Sequence, residues 1–322
     1  MNVPLQFLAL GRRETYSFSR WIKVVVWTIL WTIPGSVISL VIIAIQSPEG
    51  QTMNEVLASI KPSALGVAVL VLPFATAFYG LCRQVQRQHG RDWKTLITVY
   101  ENIAWNKVML GALVWGGIFI VDVAIQYISS PQRFTWAFNP SEWLLLLVVA
   151  VLLIPIQSGF EELFFRGYLM QTSAIVCKRA WQPLVITSVV FGLLHNTNPE
   201  VQAYGFVMMI AYIGMGLMLG VAVIMDDSIE LAIGAHAANN ILSALLVTET
   251  NSVLQTPSLF RMSGQQPDAL WLFLETAITA VAFLLILHSV CRWESWKRLL
   301  LPIWSTSDSD TNDLANIKEQ VV

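Results

Sequence analysis

Long apolar runs separated by short polar segments cover most of the chain. Six runs reach or approach the roughly 20 residues that a helix needs to span the hydrocarbon core of a bilayer. They lie near residues 24–45, 64–82, 108–128, 204–225, 229–247 and 269–290, and two shorter runs lie at 143–156 and 181–194. Because the runs are continuous and do not alternate with polar residues, they predict helices and not a β-barrel.

Composition supports the same class. Hydrophobic residues make up 55% of the 322 residues, charged residues make up 12%, and the mean hydropathy is +0.61. Such a chain has too little polar surface for a soluble globule of this length. We predict an all-α fold, a polytopic membrane protein with eight transmembrane helices. Its expected surroundings are the lipid bilayer, and we expect no nucleic-acid partner.

Basic residues predict the orientation of these spans, because cytoplasmic segments near spans carry an excess of Lys and Arg. With eight spans and a cytoplasmic N-terminus, sixteen of the 19 basic residues fall on the cytoplasmic side: Arg12, Arg13, Arg20, Lys23, Arg83, Arg87, Arg91, Lys94, Lys107, Arg166, Lys178, Arg179, Arg292, Lys297, Arg298 and Lys318. Lys61, Arg133 and Arg261 fall outside. We therefore predict that both termini are cytoplasmic.

The chain divides into four parts by content. Residues 1–142 hold the first three spans, residues 143–250 hold a catalytic core of spans four to seven, residues 251–304 hold an outer loop and span eight, and residues 305–322 form a polar tail that we expect to be disordered. Almost all ionisable groups at membrane depth lie in the core. The exceptions, Asp122 and Glu275, lie near the predicted outer ends of their spans, where we expect them to be solvated.

Two adjacent glutamates close the apolar run of span four. Ionisable groups are expensive at membrane depth, so they mark functional sites. Glu162 and Arg166 are four residues apart and share a helix face, so we expect the arginine to hold this carboxylate as a structural clamp. Glu161 points about 100° away along the same helix and is free to face a cavity. The alternative is a solvated charge cluster at a helix end.

Two histidines follow in later spans. His195 closes span five, with Phe191 one helical turn before it on the same face. His236 and Asn240 repeat that spacing in span seven, so an imidazole and an amide can reach one small site. A histidine in a soluble core is usually a packed residue with one hydrogen bond. Two histidines in spans of a chain that also holds a diglutamate favour function.

The ordered set EExxxR, FxxxH and HxxxN, on separate hydrophobic helices, resembles the CAAX protease and bacteriocin-processing family of intramembrane endopeptidases, which includes CAAX prenyl proteases. The matching residues are Glu161, Glu162 and Arg166, then Phe191 and His195, then His236 and Asn240. The resemblance covers about residues 155–245. Some members carry an asparagine four residues after the histidine of the second motif, and this chain has Pro199 there.

The resemblance implies a water-filled cavity inside the membrane that opens toward the cytoplasm. Glu161 would act as general base on a water, Glu162 would belong to the same catalytic group, and His195 and His236 would position the water or bind the oxyanion. Asn240 would donate a hydrogen bond to that oxyanion. The implied substrate is a peptide or membrane protein, of the prenylated type or unprenylated.

Two mechanisms stay open from the sequence. Glu161, His195 and His236 could hold a divalent metal such as zinc as a His2Glu set, which is a known catalytic type. The HExxH motif is absent, and a glutamate that acts without metal fits equally well. Two other functions also stay open: a membrane scaffold or chaperone of the same family without proteolytic activity, and a small transporter. A transporter would predict repeated halves, which the sequence lacks.

Overall fold

Our computed structural model describes residues 5–12, 17–46, 52, 55, 63–264 and 267–304. Helices form at all eight apolar runs. They are α1 (Phe18–Leu30 and Thr32–Gln46), α2 (Ala64–His89), α3 (Trp105–Ser129), α4 (Pro140–Glu162), α5 (Trp181–Leu194), α6 (Met209–Asp226), α7 (Glu230–Leu246) and α8 (Ala269–Cys291). The predicted tail, 305–322, lies outside the described residues.

Six of these helices are long and apolar enough to cross a membrane, within the described part of the chain. The prediction of eight spans therefore holds only in its coarser form, a helical polytopic membrane protein. Helix α5 has 14 residues. The run 229–247 was predicted as a full span, but α7 has only 17 residues. Most of α7 is buried inside the bundle, so its environment is protein and its length is not set by the bilayer.

Helix α7 lies at the centre of the bundle, packed against α3, α4 and α6. Its contact with α3 is close because each helix presents a glycine to the other. A Cβ at Gly111 would overlap the backbone of Leu231, and a Cβ at Gly234 would overlap the backbone of Val108. Small residues at such crossings let two backbones approach, which favours helix association in membranes.

The Gly216 and Gly220 pair of α6 serves a similar purpose. A Cβ on Gly216 would press on Ser188, and one on Gly220 would press on Leu184. Both residues belong to α5, so this pair packs α6 against α5. The sequence pattern of two glycines four residues apart predicts such a packing face.

The helix ends define two faces of the molecule. One face, the sheet face, carries a three-stranded sheet of β1 (Phe134–Trp136), β2 (Val247–Glu249) and β3 (Phe260–Met262), in the order β1-β3-β2. Strand β3 pairs antiparallel with β1 and parallel with β2. The sheet ties together the chain segments that follow α3 and α7.

The other face, the amino-terminal face, is where α1 begins. It carries the loops 90–104, 175–180 and 227–229 and the segment 292–304. The amide of Phe7 donates to Asp227 Oδ1 at 3.1 Å, and the amide of Ile229 donates to the Ile97 carbonyl at 2.8 Å. Each membrane helix therefore runs from one face toward the other.

Candidate active site

The diglutamate lies deeper than the sequence predicted. We expected Glu161 within a few Å of the end of span four, but the helix continues past Glu162 as a π-helical segment, Leu163–Leu169, and then as Met170–Ala174. Glu161 is thus thirteen residues from Ala174, about 20 Å at 1.5 Å per residue. π-Helical turns often mark functional sites. The continuation brings Glu161 to a depth comparable with that of His195.

Glu162 and Arg166 form the predicted pair, with 2.7 Å between Glu162 Oε1 and Arg166 Nη1. The expected location was wrong. Arg166 was counted among the loop residues, but both side chains are 0% exposed, and the guanidinium lies 4.5 Å above the Phe191 ring centroid. A guanidinium and a carboxylate buried together at membrane depth must compensate each other. The pair belongs to the interior, not to a solvated helix end.

His236 contacts both carboxylates. Its Nδ1 lies 2.7 Å from Glu162 Oε1, and its Nε2 lies 3.7 Å from Glu161 Oε2. Glu162 Oε1 accepts from Arg166 Nη1, so the same oxygen also acts as the acceptor toward His236, whose Nδ1 carries the proton. Glu162 therefore orients the ring of His236, which turns the Nε2 edge toward Glu161.

Glu161 has two differently placed oxygens. Oε1 accepts a hydrogen bond of 2.5 Å from Gln157 Nε2. Oε2 is buried and makes no hydrogen bond to any described residue. Glu161 lines a cavity of about 470 Å³, and Glu162 does not. The predicted divergence of the two carboxylates is thus present in the geometry.

Gln157 belongs to a chain of hydrogen bonds between neutral side chains. Asn240 Nδ2 donates to Gln157 Oε1 at 3.0 Å and approaches Ser158 Oγ at 3.5 Å. Asn239 donates to Asn240 Oδ1 at 3.0 Å, and Trp115 Nε1 donates to Asn239 Oδ1 at 3.1 Å. These bonds link α3, α7 and α4. They fix the amide of Asn240 beside the carboxylate of Glu161.

His195 lies at the end of α5, where the sequence predicted a short span. Its Nδ1 donates to the Phe191 carbonyl at 2.7 Å, which leaves Nε2 as the remaining acceptor of the ring. The ring stacks on Tyr212 with 4.3 Å between centroids. The Tyr212 hydroxyl hydrogen-bonds Glu200 and accepts from Asn198 at 2.9 Å. From the segment before Pro199, His195 and Asn198 line the cavity.

Every proposed site residue except Glu162 and Arg166 lines this one cavity: Glu161, His195, His236 and Asn240. The clamp residues lie directly behind it. The sequence reasoning missed three residues of the site, Gln157, Asn239 and Tyr212. Gln157 has a visible signal in the sequence, because it is a polar residue one turn before Glu161 inside an apolar run.

Asp122 and Glu275 are also placed differently from the expectation of solvated side chains. Gln126 Nε2 donates to Asp122 Oδ2 at 2.8 Å and to Glu275 Oε1 at 3.1 Å. Both carboxyl groups are half-buried and line the same cavity on its α3 and α8 sides. They form a second acidic group, separate from the diglutamate.

This arrangement defines a class, a polytopic membrane protein with buried carboxylates, histidines and amides around an intramembrane cavity. Residues 140–242 match the family model described as type II CAAX prenyl endopeptidase Rce1-like. The chain is also 33% identical over 208 residues to the uncharacterized protein YyaK of Bacillus subtilis strain 168, over 63% of this chain and 67% of that protein. No solved structure matches the chain.

The chain belongs to the Rce1-like family. This membership confirms the resemblance that the three motifs suggested, and it makes the chain an integral, multi-pass membrane protein of a CAAX-type protease family. The matched residues span α4 to α7, which contain every proposed site residue. The family indicates a peptidase acting on a peptide substrate at the lipid bilayer.

Proposed function

We propose that the protein is an intramembrane endopeptidase in which Glu161 activates a water molecule. One observation carries the proposal: Glu161 Oε2 is buried at the cavity wall, makes no hydrogen bond to a described residue, and lies 3.7 Å from His236 Nε2. A general base must reach the water that it activates, within about 2.6–3.2 Å. Glu161 lines the cavity and its Oε2 has unused acceptor capacity, which supports its role as that base.

The proposed first step uses two acceptors. Glu161 Oε2 and His195 Nε2 accept hydrogen bonds from a water in the cavity, and Glu161 then takes one of its protons. The resulting hydroxide attacks the carbonyl carbon of the scissile peptide bond. Glu161 later returns the proton to the leaving amine, so that the base ends the cycle ionised again.

The second requirement is stabilisation of the oxyanion. One Nδ2 proton of Asn240 is donated to Gln157 Oε1 at 3.0 Å, which holds the amide in place at the cavity wall. The second proton faces Ser158 Oγ at the long distance of 3.5 Å, and in this proposal it leaves that weak contact to bind the oxyanion. His236 lies on the Asn240 face of α7, but its Nδ1 proton is donated to Glu162, so in this proposal its Nε2 helps to position the water and does not bind the oxyanion. Donors held in advance at the position where charge develops supply a large part of catalysis in dry sites.

Glu162 and Arg166 act through other residues in this proposal. The carboxylate of Glu162 receives both Arg166 Nη1 and His236 Nδ1 on the same oxygen, each at 2.7 Å. It therefore positions His236 and does not itself face the cavity. Arg166 supplies the positive charge that allows two adjacent carboxylates to be buried.

The zinc alternative finds less support. Among the described residues, no group of three or more His, Cys, Asp or Glu side chains is arranged to hold a metal ion. Glu161, His195 and His236 are not among such a group, so of the two mechanisms left open by the sequence we propose the glutamate that acts without metal. The mechanism proposed here uses the side chains of the chain alone.

The test is direct. The purified protein in detergent is incubated with a library of membrane-segment peptides, and cleavage is read by mass spectrometry. We expect discrete cleavage products with the wild type and none with Glu161→Gln. A wild type that cleaves nothing, in detergent and in liposomes, contradicts the proposal and favours the scaffold function.

A further inference from the structure

The cavity lies in one half of the bundle. The residues that line it come from the ends of the helices that are nearest the sheet face: Leu70 and Phe74 of α2, Phe119 and Asp122 of α3, Tyr212 and Met215 of α6, and Leu272 and Glu275 of α8. Glu161 is its deepest point along α4, at 21 residues from Pro140. Helix α7 contributes Ser243 beyond Asn240, again toward the sheet face.

Two loops of the sheet face form the mouth of this cavity. Asn198 and Glu200 come from the segment between α5 and α6, and residues 252–254 come from the loop between strands β2 and β3. No residue of the loops 90–104, 175–180 or 227–229 is among the residues that line it. The cavity therefore opens toward the sheet face.

Basic residues are concentrated on the opposite face. Thirteen described Lys and Arg residues lie at or near the amino-terminal face: Arg12, Arg20, Lys23, Arg83, Arg87, Arg91, Lys94, Lys107, Lys178, Arg179, Arg292, Lys297 and Arg298. On the sheet face the described basic residues are Arg133 and Arg261, both in or beside the sheet. The positive-inside rule places the basic face in the cytoplasm.

These two observations conflict with a cavity that opens to the cytoplasm, as the resemblance implied. We propose that the active site of this protein opens to the extracytoplasmic side of its membrane, and that its substrates are exported, membrane-anchored polypeptides cut on that side. The claim about substrates rests on the proposed function. The orientation of the active site rests only on the distribution of basic residues and on the position of the cavity. A cytoplasmic prenylated protein could not reach this mouth.

A lateral opening supports a membrane-anchored substrate. A second cavity, of about 1120 Å³, lies between α3 and α8 and shares Ile118, Asp122, Glu275 and Thr279 with the first. The helices bordering it expose large apolar side chains such as Ile125 and Ile278, of which 55% and 66% is accessible. A polypeptide segment held in the lipid can enter between these helices and reach Glu161 from the sheet-face half of the bilayer.

The orientation is tested with single cysteines in intact cells. In a background whose three native cysteines are replaced by alanine, Val253→Cys reports the mouth, Gln132→Cys reports the sheet face, and Glu294→Cys reports the amino-terminal face. Gln132 and Glu294 are exposed. We expect a membrane-impermeant maleimide to label the first two in intact cells and the third only after lysis. The reverse pattern would overturn the proposal.

A second measurement tests whether the mouth is the entrance. Val253→Cys is modified in intact cells with a bulky impermeant reagent, purified, and assayed on the peptide library beside the same variant left unmodified. We expect modification to cause loss of cleavage, whereas modified Gln132→Cys cleaves as before. If modified Val253→Cys cleaved as fully as the unmodified variant, the proposal that substrates enter through this mouth would be overturned. Cytoplasmic labelling combined with cleavage by the purified protein would reject the orientation and leave the proposed function standing.

Discussion

His236 Nδ1 and Glu162 Oε1 are 2.7 Å apart, a contact between α7 and the end of α4 across 74 residues of sequence. The same oxygen receives Arg166. A single buried carboxylate thus holds a cation on one side and a histidine on the other, while its neighbour Glu161 faces the cavity.

Replacing Glu161 by glutamine is expected to abolish cleavage without loss of stability. The change removes the base and keeps the size of the side chain, so turnover should fall by a factor on the order of 10²–10⁴ or more. Peptide cleavage and thermal unfolding in detergent are measured on the same preparation. Glu142→Gln, at the exposed start of α4, is the matched control and should behave as wild type. If Glu162→Gln alone loses activity at full stability, the two roles are exchanged.

Replacing Arg166 by alanine is expected to damage stability as well as activity. The variant leaves Glu162 buried without its cation, and such a loss typically costs about 3–5 kcal/mol. Thermal or denaturant unfolding in detergent measures the change. The double variant Glu162→Gln with Arg166→Met removes both charges, so it should regain part of that stability. It should not regain the activity, because a neutral amide, which can present its NH2 group as well as its oxygen, no longer fixes the ring of His236 as the carboxylate does. Equal stabilities of wild type and Arg166→Ala would contradict this account.

Replacing Gln157 by leucine is expected to lower kcat with little change in KM. Gln157 donates to Glu161 and accepts from Asn240, so its loss releases both groups while the substrate-binding walls stay in place. A hydrogen bond to a charged group contributes about 1.5–3 kcal/mol, which predicts a fall in kcat of roughly tenfold or more. Gln86→Leu, on the exposed end of α2, is the control. A rise in KM at constant kcat would assign Gln157 to substrate binding instead.

Dialysis against a strong chelator is expected to leave cleavage unchanged. The proposed base is a carboxylate, and the described residues offer no three-ligand group for a metal. A known zinc protease treated in parallel in the same detergent should lose its activity, which verifies the treatment. If the chelator abolished cleavage and added zinc restored it, the result would support the His2Glu metal site instead.

The substitution Gly167→Ala, which adds a methyl group, is expected to destabilise the fold. A Cβ there would lie 2.6 Å from the Leu96 carbonyl oxygen, where the loop 90–104 packs on the π-helical segment. Overpacking of this kind costs about 1–3 kcal/mol. Gly117→Ala in α3 is the control, since a Cβ at Gly117 would meet nothing within 4 Å. Unfolding in detergent compares both with wild type, and similar destabilisation by both substitutions would count against specific packing at Gly167.

Local spacing predicted a good part of this site. The pairing of Glu162 with Arg166 follows from their separation of four residues, and the divergence of Glu161 follows from the 100° per residue of a helix. The shared face of His236 and Asn240 follows in the same way. These relationships involve one helix each, so the sequence contains all the information they need.

Contacts between helices could not be predicted in that way. Nothing in the spacing of Glu162 and His236 shows that they meet, because the meeting depends on how α4 packs against α7. The π-helical segment Leu163–Leu169 also gave no signal, since its residues, apolar apart from Arg166, are equally compatible with an ordinary α-helix. The prediction of eight spans is confirmed only in its coarser form, a helical polytopic membrane protein, because hydropathy does not distinguish a helix buried in protein, such as α7, from one that faces lipid.

The distribution of the site over α4, α5 and α7 has a consequence for biosynthesis. Under the proposed assignment, Glu161 is inserted into the membrane long before His236 is translated, 75 residues later. Until α7 packs against α3 and α4, the diglutamate has no imidazole beside it and the cavity lacks a wall. A nascent chain at the translocon is therefore inert, and hydrolysis begins only when insertion of α7 has finished.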